Sequence, residues 1–303
     1  MKANPQTKRA NWHDYRSPGR YMNTLSKGVG IPPFSQIDGD WRLPVGTRGS
    51  SYTRWSPTGR IIADKLYHLG ELHPSLRAEQ YIVMPDHMHV LIWVKSTLPE
   101  HLGFFIARFK NTINSAVGID HIFEDGFNDQ IVTNKRDLNT IFNYIRSNPY
   151  RLAIRRAYPD FFTRCNNMII GDTPCQLYGN IHLLDNPFKD QVIVHRIDND
   201  QIFLANRDRW LHTAANGGVL VSPFISQREK SIRKEVESSG ARFILISNRP
   251  FSEREKPSGR DFNLCAQGRL LIIAPAIPMP LDRPSCLKMN SLAQTIAREY
   301  YAS

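Results

Sequence analysis

The chain has 303 residues, 41% of them hydrophobic and 22% charged, an ordinary globular composition with length for about two domains. Val90 to Val94 is far too short to span a bilayer, Leu270 to Leu281 is broken by Pro275, Pro278 and Pro280, and the basic N-terminus has no apolar run behind it, so no membrane span or secretory leader is expected. The 39 Lys and Arg outweigh 28 Asp and Glu unevenly, at 22 against 14 over residues 1–164 and 17 against 14 beyond, so a polyanion is expected to meet the first half. That excess could equally serve solubility alone.

The segment up to Tyr15 reads as an arm, and S-P-G at Ser17 to Gly19 as a turn into an alternating strand, RYMNTLSKG. Residues 28–57, rich in Gly, Pro and Ser, show no period and read as one long loop, a length that usually has a functional reason. Ser56 can cap a helix with Pro57 at its first position, and IIADKLYHLGEL continues at helical spacing. A β-hairpin follows, YIVMPDHMHVLIWV, and then a helix from about Leu98 to Val117. DQIVTN is a short strand, and Asp137 opens a helix running to Asn148, before Pro149. The order is β-α-β-β-α-β with one extra helix, that of a ferredoxin-like α+β sandwich.

After about Asn166 the texture changes. DQVIVHRID, GGVLVSP, ARFILIS and RLLIIAP are short apolar, mostly β-branched runs, and long segments of helical period separate the first three, which predicts an α/β Rossmann-like domain with a parallel sheet. The expected division is 1–165 and 166–303. Neither G-x-G-x-x-G nor a P-loop is present, which leaves Gly217 and Gly218, or Lys256, Ser258 and Arg260, as the positions where an anion could bind; an inert accessory domain is the simpler reading. Four cysteines without a CxxC pair, Cys165, Cys175, Cys265 and Cys286, read as reduced and structural.

The chemistry concentrates in the hairpin. His87 and His89, two apart on a strand, put both imidazoles on one face, half of a divalent-metal site or merely two surface histidines. Tyr144 and Asn148, four apart on a helix, stack on one face as a phenol and an amide. Tyr144 could also be a core aromatic beside Ile141 and Ile145, and Asn148 an N-cap ahead of Pro149.

VMPDHMHVLI, then RFKNTIN, FNDQIV and YIRSNP, with DYRSPGRYMNTLS and WSPTGRIIA upstream, resembles the single-tyrosine HUH transposases, most closely the REP-associated tyrosine transposases, over about residues 12–164. The resemblance implies a Mg²⁺ or Mn²⁺ ion held by His87 and His89, Tyr144 as nucleophile, and Asn148 at the third-ligand position, where an amide oxygen is a weaker donor than a carboxylate. It implies cleavage and strand transfer of single-stranded DNA, beside a hairpin, through a 5′-phosphotyrosine, by a homodimer in the cytoplasm at the nucleoid. Arg108, Lys110, Lys135, Arg136, Arg146 and Arg151, with Arg155 and Arg156, flank the site and could track phosphates, and Trp12, Tyr15 or Trp55 could stack bases. Two other readings stand beside this one: a hairpin-binding protein without catalysis, and a nucleotide-sensing regulator acting through the second half.

Overall fold

The computed structural model describes residues 10, 13–133, 135–253 and 255–298, with the side chains of 135–137 outside the description. The chain divides into two compact units, Met1–Ile154 and Arg155–Ser303. No helix among the described residues is long and apolar enough to cross a membrane.

In the first unit, β1 (Gly19–Ser26), β4 (Leu76–Val83), β5 (His87–Val94) and β6 (Asn128–Val132) form one antiparallel sheet in the order β4-β5-β1-β6. Helices α1 (Pro57–Tyr67) and α2 (Leu102–Val117) cover one face, closing a core of Tyr21, Leu25, Met88, Val90 and Ile92 from the strands and Ile62, Leu66, Phe105 and Phe109 from the helices. These strand residues alternate, so their neighbours point the other way. There Met22 and Leu91 meet Ile141 and Ile145 of α3 (Lys135–Ala157), whose four-residue spacing lays one helical stripe on the sheet. The helix does not stop at Asn148. It runs through Pro149 to Ala157, although the ring removes one ladder hydrogen bond.

The Gly/Pro-rich stretch of 28–57 is not a plain loop. It contains a two-stranded antiparallel ribbon, β2 (Ser35–Asp38) and β3 (Tyr52–Trp55), with Ser35 opposite Trp55 and Asp38 opposite Tyr52. Periodicity missed it because each strand is only four residues long. Ser56 caps α1 as expected, accepting from the Gly59 amide at 3.1 Å.

The second unit holds a six-stranded sheet ordered β7-β8-β12-β11-β10-β9. Strands β9 (Lys189–Gln191), β10 (Val219–Ser222), β11 (Arg242–Ile246) and β12 (Leu270–Pro275) are parallel and lie in sequence order; β7 (Thr163–Ile170) and β8 (Thr173–Gly179) form an antiparallel hairpin against β12. DQVIVHRID is strand only at its start, and the hairpin was not foreseen. Strands connected in order by right-handed crossovers send their helices to one face. Trp210 of α4 (Asp200–Ala215), Ile232 and Val236 of α5 (Gln227–Ser238), and Leu264 and Cys265 of α6 (Gly259–Ala266) pack together there on Leu220, Phe243 and Ile272. On the other face α7 (Arg283–Arg298) places Met289, Leu292 and Ile296 on Val219, Val221, Ile244 and Ile273. The four parallel strands lack the order reversal that forms the ligand crevice of a doubly wound sheet.

Candidate active site

His87 and His89 lie at the start of β5, on the face that α3 crosses. Their partners across the sheet are Ser26 and Thr24 of β1. The two Nε2 atoms converge to 3.1 Å. Both Nδ1 atoms are otherwise engaged: His87 Nδ1 is 2.7 Å from Asp86 Oδ1, and His89 Nδ1 is 2.8 Å from Thr24 Oγ1. A carboxylate can only accept, so His87 donates from Nδ1, and the neutral ring then carries its lone pair on Nε2. His89 is 5% exposed, and burial, then the neighbouring His87, pushes its pKa down to about 3, so it is a neutral imidazole near neutral pH. Two imidazole nitrogens this close are at ease only with a proton or a cation between them. Side-chain partners that fix the other ring nitrogen are also what orient metal-binding histidines.

Tyr144 comes to the same point from above. Ile141 and Ile145 anchor α3 on Met22 and Leu91, and Tyr144, just before Ile145, turns its ring over His89, at 5.2 Å between centroids. The hydroxyl is 3.4 Å from His89 Nε2. At 37% exposed, Tyr144 can be reached from solvent; it is not the buried core aromatic that its neighbours in sequence would suggest. The Arg151 guanidinium lies over the Tyr144 ring, 5.5 Å from its centroid.

Asn148 is 7% exposed and donates its Nδ2 to the Tyr144 carbonyl at 2.7 Å, one turn back. It is thus part of a continuous helix and not the cap of a new one. Among the described residues no cluster of three or more His, Cys, Asp or Glu could hold a metal. Two imidazoles whose Nε2 atoms converge fit half of a divalent-cation site, and among the described residues no carboxylate or thiol completes it.

The basic residues divide. Arg108 and Arg146 are exposed, Arg108 at 5.9 Å over the Phe104 ring and Arg146 within 3.4 Å of Asn143 Oδ1. Lys110 is turned inward: its ammonium is taken by the Glu124 and Gly126 carbonyls, and burial lowers its pKa. Lys135 and Arg136 have side chains outside the described residues, as has Trp12 altogether. Tyr15 is 4% exposed with its hydroxyl on Asp129, which leaves no ring face for a base. Trp55 is half-buried against the first core. Sequence reasoning missed Thr24 and Asp86. Asp86 had a local signal, its place beside His87; Thr24 had none, since it reaches His89 only by cross-strand pairing.

In the second unit Arg260 and the glycine pair have other work. Arg260 is paired with Glu237, and Gly217 and Gly218 make the α4–β10 turn, at the amino end of the strand and away from the carboxyl ends where such sheets bind ligands. Gly217 has φ +77°, and a Cβ on Gly218 would come within 2.5 Å of Thr213 Cγ2. The N-terminus of α5, at the carboxyl end of β10, is filled by the protein's own carboxylate: Glu229, 3% exposed, accepts from the amides of Val194, Ile225 and Ser226.

No family model and no curated protein matches the chain. Among solved structures it is similar to a REP-associated tyrosine transposase bound to a REP hairpin, at 15% identity and a TM-score of 0.34, over 46% of this chain and 72% of that one. It is also similar to a Deinococcus radiodurans R1 protein described as a candidate transposase, at 15% identity and a TM-score of 0.26, over 46% of this chain and 95% of that one. Likeness at this level carries no functional conclusion by itself.

Proposed function

We propose that the protein is an HUH single-tyrosine DNA strand transferase that cuts and rejoins single-stranded DNA beside a hairpin. The single observation that carries this reading is the meeting of a solvent-accessible phenol with a convergent histidine pair: Tyr144 Oη 3.4 Å from His89 Nε2, itself 3.1 Å from His87 Nε2. The ordered sequence motifs of the first unit support it, as does a sheet order, β4-β5-β1-β6, that we read as ferredoxin-like, with the second unit as a Rossmann-like accessory domain.

In this reading His87 and His89 would hold Mg²⁺ or Mn²⁺ through Nε2, with the amide oxygen of Asn148 as the third protein donor. The bound ion supplies Lewis acidity at the scissile phosphate. Thr24 and Asp86 fix the two rings. The Tyr144 oxygen attacks phosphorus, its proton leaving to solvent, and a P–O(Tyr) bond forms as the P–O3′ bond breaks. The 3′ oxygen takes up a proton and leaves as a free hydroxyl, while the 5′ end stays on the enzyme. Attack by a 3′-hydroxyl on the phosphotyrosine restores a phosphodiester and returns the phenol, so no external energy source is needed. Arg108, Arg146 and Arg151 meet the DNA backbone, with Lys135 and Arg136 as further candidate contacts. Two copies of the chain act together at the nucleoid.

The test is a denaturing gel of the protein incubated with labelled hairpin-bearing single strands and Mn²⁺. A covalent protein–DNA band is expected, and it is expected to disappear in Tyr144→Phe and in His87→Ala. Hairpin binding without any such band would favour a binding protein that has no chemistry.

A further inference from the structure

The ribbon β2–β3 is the feature that the proposed chemistry does not use. Its two faces differ. Ser35, Ile37, Thr53 and Trp55 are buried or half-buried, while Gln36, Tyr52 and Arg54 are exposed, with Asp38 beside them. Arg54 bridges this outer row, 3.0 Å from Gln36 Oε1 and 3.4 Å from Asp38 Oδ2. The tip exposes Arg42 and Arg48, with the Arg42 guanidinium 5.1 Å from the centroid of the Trp41 ring.

Such a tip buries little, yet it is held in one shape by its own hydrogen bonds. The Asp40 amide donates to the Gly49 carbonyl, the Arg42 amide to Asp40 Oδ1, the Gly46 amide to Ser50 Oγ, and Ser50 Oγ to the Thr47 carbonyl. Its base is tied to the turn that carries the histidines: the Phe34 amide donates to the Pro85 carbonyl at 3.0 Å, the Lys27 amide to Asp86 at 2.8 Å, and Ser35 Oγ to Val83 at 2.8 Å. Gly59 lets α1 close on this base, since a Cβ there would lie 2.0 Å from the Phe34 carbonyl oxygen. An ordered, outward-facing arm fixed to the His87 turn is pre-organised for something outside the chain.

We propose that this ribbon is a duplex-reading arm, which enters the major groove of the base-paired stem flanking the single strand cut at Tyr144; this rests on the DNA-processing reading above. B-form DNA admits a two-stranded ribbon in that groove, and Arg, Gln and Asp are side chains that pair with base edges. Charge favours edge reading over phosphate tracking, because Arg42, Arg48 and Arg54 are nearly balanced by Asp38 and Asp40. A single-strand platform would show a row of exposed aromatic faces; here Arg42 lies over Trp41, and Tyr52 stands alone in the outer row. The Arg54 contacts are exposed ion-pair and amide contacts that cost little to exchange for a base.

The experiment compares binding of one oligonucleotide with and without its stem, for the full chain and for R48A/R54A. Both positions are exposed, and a thermal melt matching the parent shows that the fold is kept. The preference for the stemmed strand is expected to fall roughly tenfold or more, and Gln36→Ala is expected to change which stem base pairs are preferred. An unchanged stem preference in R48A/R54A overturns this proposal and leaves the strand-transfer reading standing. So does a parent protein that forms the Tyr144 adduct equally well with stemless DNA. A parent that neither binds DNA nor forms an adduct overturns both.

Discussion

The two units treat polar groups on their sheets in opposite ways. In the second, both faces of the parallel strands are apolar, and the polar side chains around them are spent on the protein's own backbone. Glu229 satisfies three amides, and Arg164 reaches the carbonyls of Ser252, Glu253 and Glu255. In the first, one sheet face is apolar under α1 and α2, but the other carries His89 and Thr24 in a cross-strand row, with two imidazole nitrogens facing each other and a phenol above them. Satisfied polar groups stabilise a unit. In the first unit the polar side chains partner one another at a point that solvent can reach, and such clusters of titratable groups concentrate at functional sites.

The sharpest way to break this contrast is at Glu229. Removing the carboxylate in Glu229→Ala orphans three amides around a residue that is 3% exposed, and the second unit is expected to lose about 3 kcal/mol. Trp210, buried in that unit's core and the only tryptophan beyond residue 154, reports the loss as a lower urea midpoint in its fluorescence. A midpoint within error of the parent would mean that this carboxylate is not the structural anchor its contacts describe. In the first unit the matching substitution, Thr24→Val, removes one oxygen from His89 and is expected to weaken Mn²⁺ binding about 10-fold to 100-fold with little change in melting temperature. Titration calorimetry with Mn²⁺ reads the first and a melt reads the second; a large loss of stability with unchanged Mn²⁺ affinity would reverse the assignment of roles.

What was legible in the sequence follows the range of the forces involved. The histidine strand, α1 with its Ser56 cap, and β10 to β12 are local patterns of period and capping, and each was readable. The exposure of Tyr144 was not, since its neighbours Ile141 and Ile145 are core residues and suggested a third. The ribbon, the β7–β8 hairpin and the truncated β9 were not, because short strands depend on partners distant in sequence and not on their own period. Pro149 misled for a related reason: a proline breaks an isolated helix, but the packing of Ile141 and Ile145 on the sheet outweighs one lost hydrogen bond. Thr24 could be found only once β1 and β5 were seen side by side.

Alkaline pH sharpens the comparison with a smaller effect. Burial raises the Cys265 thiol in the second unit to about 12 from 9.0, and the Tyr21 phenol in the first to about 12 from 10.0. In both cases the folded protein keeps a proton that the unfolded chain gives up, so stability is complete below the unfolded pKa and is lost as pH rises through the folded one. The thiol's window opens at about pH 9 and the phenol's at about pH 10. Cys175, in the same unit, is raised by burial from 9.0 to about 11, so stepwise urea titrations from pH 8 to 11 should show the Trp210 transition weakening before that of the first unit's tryptophans, and Cys265→Ala should reduce that lead. If the first unit weakens earlier, the thiol is not what couples the second unit to pH.

The smallest effect expected is at the exposed pair of Arg207 on α4 and Glu235 on α5, which joins two helices of the second unit on its solvent side. Screening by water and salt leaves such pairs worth little. Arg207→Ala is expected to shift the Trp210 urea transition by less than Glu229→Ala does, and to shift it less still at 0.5 M salt than at low salt, on the order of what a screened surface pair loses. A shift comparable to that of Glu229→Ala would show that the second unit is held by its surface ion pairs as much as by its buried ones, and the contrast between an internally satisfied unit and an outward-facing one would then have to be drawn from the sheet faces alone.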